Sequence, residues 1–214
     1  MMEYSVLVVA AGKKAGEGES YEKVHALFNG SKRVLDQTVS IFLEDEKCKQ
    51  IVVVTSPADM QTFVKTSGSG KILFVKGGKT RQESVLIGLT AVSEDIVLIH
   101  DGTRPWLTHD LIDKLVRRMK EEEACILAVP TATAVHRVEN GYVVETYPSE
   151  ETMLSQTPQA FQTSFIINCY QKAIQQGLSL LDDSAVVAAV SDSKIAIEEG
   201  DIRNTRFILK DINN

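Results

Sequence analysis

Ser5-Val6-Leu7-Val8-Val9-Ala10 runs directly into Ala11-Gly12-Lys13-Lys14-Ala15-Gly16-Glu17-Gly18, and this junction decides the fold class. The apolar run reads as a buried first strand. The small residues after it let a backbone approach a ligand closely, and the glycines permit dihedrals that a side chain forbids. Open α/β sheets place nucleotide phosphates in such a loop, at the carboxyl end of the first strand. Lys13, Lys14 and, further on, Lys23 supply positive charge for a polyphosphate. The junction therefore points to an enzyme that handles nucleotides.

Working outward, strand-like and helix-like stretches alternate. Val34–Leu43 reads as an amphipathic helix, Ile51–Thr55 as an interior strand, and Ser56-Pro57 as the capped opening of a second helix. Lys71–Val75 is the third strand, Gln82–Val92 a helix, and Ile96–His100 the fourth strand. A helix from Leu107 onward, with Thr108 as its cap, leads to a fifth strand at Ile126–Val129. Continuous apolar strands separated by helices predict a doubly wound, mostly parallel sheet covered on both faces.

The alternation breaks at Ala134–Val138 and Tyr142–Thr146, which flank Glu139-Asn140-Gly141. Asn-Gly between β-rich runs signals a hairpin. It is read as a projecting arm, over about residues 131–150, that buries its apolar side in a partner subunit; the alternative is an edge hairpin folded back on its own domain. Thr163–Gln176 and Asp183–Val190 are further helices, and Ile195–Glu198 and Thr205–Leu209 late strands. No linker divides the chain, so residues 1–214 are read as one domain.

Composition sets limits on function. The 214 residues are 43% hydrophobic and 24% charged, with a formal charge of -6, which argues against general nucleic-acid binding. An anionic substrate must be met by a local cluster of cations. Cys48, Cys125 and Cys169 match no zinc or disulfide pattern, so a reducing cytoplasm is expected. No run reads as a leader or a membrane span.

Four segments are expected at strand ends: the first loop, Gly77-Gly78-Lys79-Thr80-Arg81, His100-Asp101-Gly102-Thr103-Arg104-Pro105, and Thr157-Pro158-Gln159. The first loop is not G-x-G-x-x-G, which disfavours a nicotinamide dinucleotide. Gly68-Ser69-Gly70-Lys71 is followed by Ile72, which breaks a P-loop. His25, His100, His109 and His136 show no zinc spacing, and Ser84 begins no acyl-hydrolase elbow. Asp101 is the candidate ligand for Mg²⁺ bound to a triphosphate, with a turn-capping carboxylate as the alternative. Arg104 beside it is read as a phosphate binder.

Ala10-Ala11-Gly12, Lys23, Gly77-Gly78 with Arg81 and Ser84-Val85, His100-Asp101-Gly102-x-Arg104-Pro105, Ile126–Pro130 and Thr157-Pro158-Gln159-Ala160-Phe161 together closely resemble the 2-C-methyl-D-erythritol 4-phosphate cytidylyltransferases. The resemblance spans nearly the whole chain. It implies a homodimer whose arm completes the neighbour's site, and transfer of CMP from CTP to a sugar-alcohol phosphate with Mg²⁺ and release of pyrophosphate. By the same resemblance Lys23 stabilises the transition state, joined by Arg206, which stands where the family has a lysine. The first loop (Ala10, Ala11, Gly12, Lys13, Lys14) wraps the triphosphate. Gly78, Arg81, Ser84 and Asp101 line the nucleotide or metal site, and Arg104, Thr157 and, from the arm, Arg137 serve the acceptor.

The chain departs from the family pattern at Gly16 and Ser149, where arginines are usual, and at Thr133-Ala134, where the arm normally carries Asp-Thr. Two alternatives stay open at this point: the same chemistry on another polyol phosphate such as ribitol 5-phosphate, and a nucleotide-binding paralogue that has lost the reaction.

Overall fold

Seven strands form the central sheet in the order β11-β7-β10-β6-β1-β4-β5. They are β1 (Tyr4–Val9), β4 (Cys48–Thr55), β5 (Ile72–Lys76), β6 (Ile96–Asp101), β7 (Ala124–Pro130), β10 (Met153–Gln162) and β11 (Ala196–Glu199). This is a computed structural model, and it describes residues 2–11, 23–57, 59–60 and 70–209. β1 pairs in parallel with β4 and β6, β4 with β5, and β7 with β11. The α/β, mostly parallel sheet expected from the sequence is thus present, with one exception: β10 runs antiparallel between β6 and β7.

The alternation of side chains along each strand builds two cores. Val6, Val8, Ile51, Val53 and Leu98 face α1 (Val34–Glu44) and α3 (His109–Arg118), which contribute Leu35, Val39, Phe42, Leu111, Ile112 and Leu115. The intervening Leu7, Val52, Val54, Val97 and Ile99 face α2 (Arg81–Leu89), α4 (Thr163–Gln175) and α5 (Asp183–Val190). The middle stretches of β1, β4 and β6 are therefore continuously apolar, and the sheet is covered on both sides.

Three sequence expectations need correction. Thr157-Pro158-Gln159 is not a loop but lies inside β10, where Thr157 and Pro158 bulge out of the pairing between Gln156 and Gln159. Proline has no N–H to give a ladder, which fits the break in pairing at this point. Thr205–Leu209 forms no strand; Phe207 N donates to Thr103 O at 2.7 Å, and its ring stacks on Trp106 at 5.9 Å. Thr108 occupies the N-cap of α3 without a side-chain bond to it. The helix expected after Ser56 begins as read, Asp59 N donating to Ser56 Oγ at 3.3 Å, but 61–69 lie outside the described residues.

The hairpin is formed by β8 (Val135–Glu139) and β9 (Tyr142–Tyr147), which among the described residues pair only with each other. A short hairpin, β2 (Leu27–Phe28) with β3 (Lys32–Arg33), precedes α1. Asn140 and Gly141 turn the β8–β9 arm with φ of 50° and 84°, the left-handed geometry that a two-residue turn between twisted strands requires. Every residue of β9 is exposed.

Candidate active site

The chain steps outward from β1 to β4 and β5, then returns to place β6 on the other side of β1. The connections leaving β1 and β6 consequently diverge, and their carboxyl ends open the crevice where this architecture holds ligands. Two backbone bonds fix its floor: Ala10 N to Val54 O at 2.8 Å and Gly102 N to Val9 O at 3.0 Å.

Asp101, the last residue of β6, is met there by three arginines from distant parts of the sequence. Arg104 Nε lies 3.2 Å and Arg206 Nε 3.0 Å from Asp101 Oδ2, and Arg81 Nη2 lies 3.9 Å from Oδ1. Burial alone would raise the Asp101 carboxyl, but the charges of Arg206, Arg81 and Arg104 outweigh it and hold the group below its ordinary value. Arg81, Arg104 and Arg206 thus bring three positive charges to one strand end in a protein of net charge -6.

Arg81 has a second attachment. Its Nη1 and Nη2 donate to both oxygens of the fully buried Asp183 at 2.8 and 2.7 Å, and Tyr170 Oη donates to the same carboxylate. Burial pulls the Arg81 guanidinium down, yet the charge and hydrogen bonds of Asp183 raise it above its usual value. Arg81 therefore anchors the start of α2 to α5, with its terminal nitrogens engaged by protein.

The turn before α2 is set by short-range bonds. Thr80 Oγ1 accepts from Glu83 N at 3.1 Å, capping the helix, while Glu83 Oε2 accepts from Lys79 N at 2.7 Å and Ser84 Oγ accepts from Gly78 N at 3.0 Å, so that helix side chains hold the amides of the preceding turn. A Cβ on Gly77 would stand 2.5 Å from Ala11 Cβ and 3.0 Å from Ser84 Oγ. Glycine here is what lets the 77–84 turn close on the end of β1, and so Ala10, Ala11, Gly78 and Ser84 gather at one rim.

A family model described as 2-C-methyl-D-erythritol 4-phosphate cytidylyltransferase (IspD) matches residues 4–211. The chain belongs to this family. An enzyme of that name from Halalkalibacterium halodurans is 35% identical over 215 residues, covering 96% of this chain and 92% of its own. One from Bacillus velezensis is 32% identical over 215 residues, covering 98% and 92%. The fold agrees with 4-diphosphocytidyl-2C-methyl-D-erythritol synthase from Anaerococcus prevotii at a TM-score of 0.88 and 25% identity, covering 99% of this chain and 95% of that one. The Thermus thermophilus cytidylyltransferase structure gives a TM-score of 0.80 at 27% identity, covering 99% and 96%.

The other family positions fall into four groups. Asp101, Arg104, Thr157 and Arg206 converge, with Thr157 Oγ1 accepting from Asp101 N at 3.1 Å. Lys23 lies in helical backbone, half-buried, just before β2. Gly12, Lys13, Lys14 and Gly16 lie outside the described residues. Arg137 is on the exposed arm, where it pairs with Glu139 and, at 3.1 Å, with Glu145 Oε2; within one chain it is engaged on the arm itself.

Among the described residues no group of three or more His, Cys, Asp or Glu could hold a metal ion. A Mg²⁺ carried on a triphosphate takes most of its ligands from phosphate and water and needs only one or two carboxylates. Asp101 fits that requirement, because Oδ1 has its arginine beyond hydrogen-bond distance, at 3.9 Å.

Sequence reasoning missed Asp183 and Asn204. Asp183 was legible only as the start of a helix; its burial depends on α4 and α2 meeting α5. Asn204 is fully buried, with Nδ2 donating to Thr157 O at 2.9 Å and its carbonyl accepting from Arg104 Nη1 at 2.7 Å. Nothing in its neighbours along the chain signals either bond.

Proposed function

We propose that this protein transfers CMP from CTP to 2-C-methyl-D-erythritol 4-phosphate and releases pyrophosphate. The observation that carries the reading is the triad of arginines on Asp101 at the divergence of β1 and β6, facing the turn of Gly78 and Ser84. Family membership and the names borne by the relatives support the same reaction.

The acceptor is a phosphate monoester, already a charged nucleophile, and needs little base catalysis. What the protein must supply is alignment of two anions and stabilisation of charge as the α-phosphorus is attacked. Arg206, with much of its side chain exposed, is placed to turn from Asp101 to a phosphate. Arg104, buried and bonded to Asn204 O, holds the floor and its charge in place. Lys23, Lys13 and Lys14 add charge on the triphosphate side. Mg²⁺, held on the protein side by Asp101, would neutralise the triphosphate when bound.

In this reading residues 1–214 act as one nucleotidyltransferase domain whose arm, about 131–150, joins two copies into a homodimer. Val138, Tyr142, Val143, Val144 and Tyr147 are exposed apolar side chains on that arm, which favours burial in a second subunit. The three cysteines are buried and unbridged, as suits the reducing cytoplasm we assign to it. No helix among the described residues is long and apolar enough to cross a membrane.

Pyrophosphate release tests the proposal. CTP and Mg²⁺ should yield it with 2-C-methyl-D-erythritol 4-phosphate and far less with ribitol 5-phosphate, and Lys23→Ala should abolish it. No release with any polyol phosphate, in a protein that binds CTP, would overturn the assignment.

A further inference from the structure

Four buried groups behind the arginine cluster close a ring of hydrogen bonds. Thr157 Oγ1 meets His100 Nδ1 at 3.0 Å, His100 Nε2 meets Arg104 O at 3.2 Å, Arg104 Nη1 donates to Asn204 O at 2.7 Å, and Asn204 Nδ2 donates to Thr157 O at 2.9 Å. Chemistry fixes the direction of each bond. A carbonyl oxygen only accepts, so the His100 proton is on Nε2. The imidazole is fully buried and packs edge-on against Phe42, and the neighbouring carboxylate, Asp101, is already paired with Arg104 and Arg206; the imidazole is neutral, and Nδ1 is an acceptor. Thr157 must therefore donate to Nδ1, while its oxygen accepts from Asp101 N at 3.1 Å.

A threonine hydroxyl has one proton, and this one is committed. The oxygens of a phosphate dianion only accept, so Thr157 has nothing to give the acceptor phosphate. We propose that Thr157 is a positioning residue that acts through His100: the ring holds the 101–104 turn and the segment leading from Asn204 to Arg206, and so aims Asp101, Arg104 and Arg206 together. The assignment rests on the function proposed above, and it replaces the direct contact with the sugar phosphate that family resemblance implies for Thr157.

The experiment is a double-mutant cycle with Thr157→Val, His100→Gln and the pair, reading KM for the acceptor and for CTP, with Thr157→Ser as the conservative variant. Each single change should raise the acceptor KM by about tenfold, the effect of stranding one buried partner, and should shift the CTP KM with it through Asp101. The pair should be no worse than the poorer single variant, since both cut one circuit, and Thr157→Ser should restore the wild-type value. An additive pair, or a serine variant as poor as valine, overturns the proposal. Nitrogen-15 NMR of the histidines, with the His100 signals assigned by their loss in His100→Gln, reads the circuit independently of turnover: a proton on Nε2 and a bare Nδ1 are expected, and the opposite tautomer overturns the proposal. If the wild-type protein transfers no CMP while NMR shows the expected tautomer, the function has failed and the ring has not.

Discussion

Arg206 Nε donates to Asp101 Oδ2 at 3.0 Å across 105 residues of sequence, and Arg206 is the most exposed of the three cations on that carboxylate, its side chain 64% accessible. The other two are tied down, Arg104 by Asn204 O and Arg81 by Asp183. Only Arg206 combines charge with freedom to leave. Arg206→Ala should lower kcat by about a hundredfold or more, the effect of removing one charge-stabilising donor, with little change in Tm. Arg206→Lys, which keeps the charge, should retain most of the activity. Turnover near wild type in the alanine variant would remove Arg206 from the reaction.

Arg81 and Asp183 form the buried pair that joins the nucleotide-side turn to α5. Arg81→Met strands a fully buried carboxylate and should cost about 3–5 kcal/mol in denaturant unfolding. Adding Asp183→Leu should recover much of that loss, because no unpaired charge remains. A single variant as stable as wild type would mean that water reaches Asp183.

Gly77 touches Ala11, and an added methyl would sit 2.5 Å from Ala11 Cβ. Gly77→Ala should destabilise the fold by about 1–3 kcal/mol, as overpacking does. It should also raise the CTP KM, because Ser84 and Gly78 would be pushed from the rim. A change in neither quantity would show that the turn bears no relation to the nucleotide.

Burial, opposed by the nearby Asp101 charge, lowers the His100 imidazole to about 4 from an unfolded value of 6.5. Between those pH values the unfolded chain binds a proton that the folded chain refuses, so stability falls as pH falls from 6.5 toward 4. The full loss is about 3 kcal/mol at roughly 1.4 kcal/mol per pH unit. His100→Gln should flatten this part of the stability curve when both proteins are unfolded in denaturant at pH 7, 5.5 and 4. Parallel curves would show that the ring is charged, or open to solvent, in the folded state.

Tyr142 is the most exposed apolar side chain of the arm, at 77%. If the arm buries its face in a second subunit, Tyr142→Glu with Val143→Glu should shift sedimentation from dimer to monomer. The monomer's fold should be unaffected, because β8 and β9 pair with no other strand among the described residues. A wild-type protein that sediments as a monomer at high concentration removes the proposal.

Local chemistry was enough for much of this molecule. Apolar runs such as Ile51–Thr55, the glycine pairs and Asn140-Gly141 act within a few residues, so the strands, the parallel architecture and the hairpin were legible before any contact was known. The end of β6 with Asp101 and Arg104, and the Gly78–Ser84 turn, were legible for the same reason: each is one short segment with its own bonds. β10 was not, because Pro158 argues against a strand and only the open edges of β6 and β7 make pairing there favourable.

What the tertiary structure alone decided is which groups are free. Arg81, Arg104, Thr157 and Arg206 all read as site residues along the chain, but Asp183, Asn204 and His100 engage three of them and leave Arg206 the exposed one. Those partners lie tens to more than a hundred residues away, and a hydrogen bond depends on distance in space, which no order of residues records until the sheet has closed.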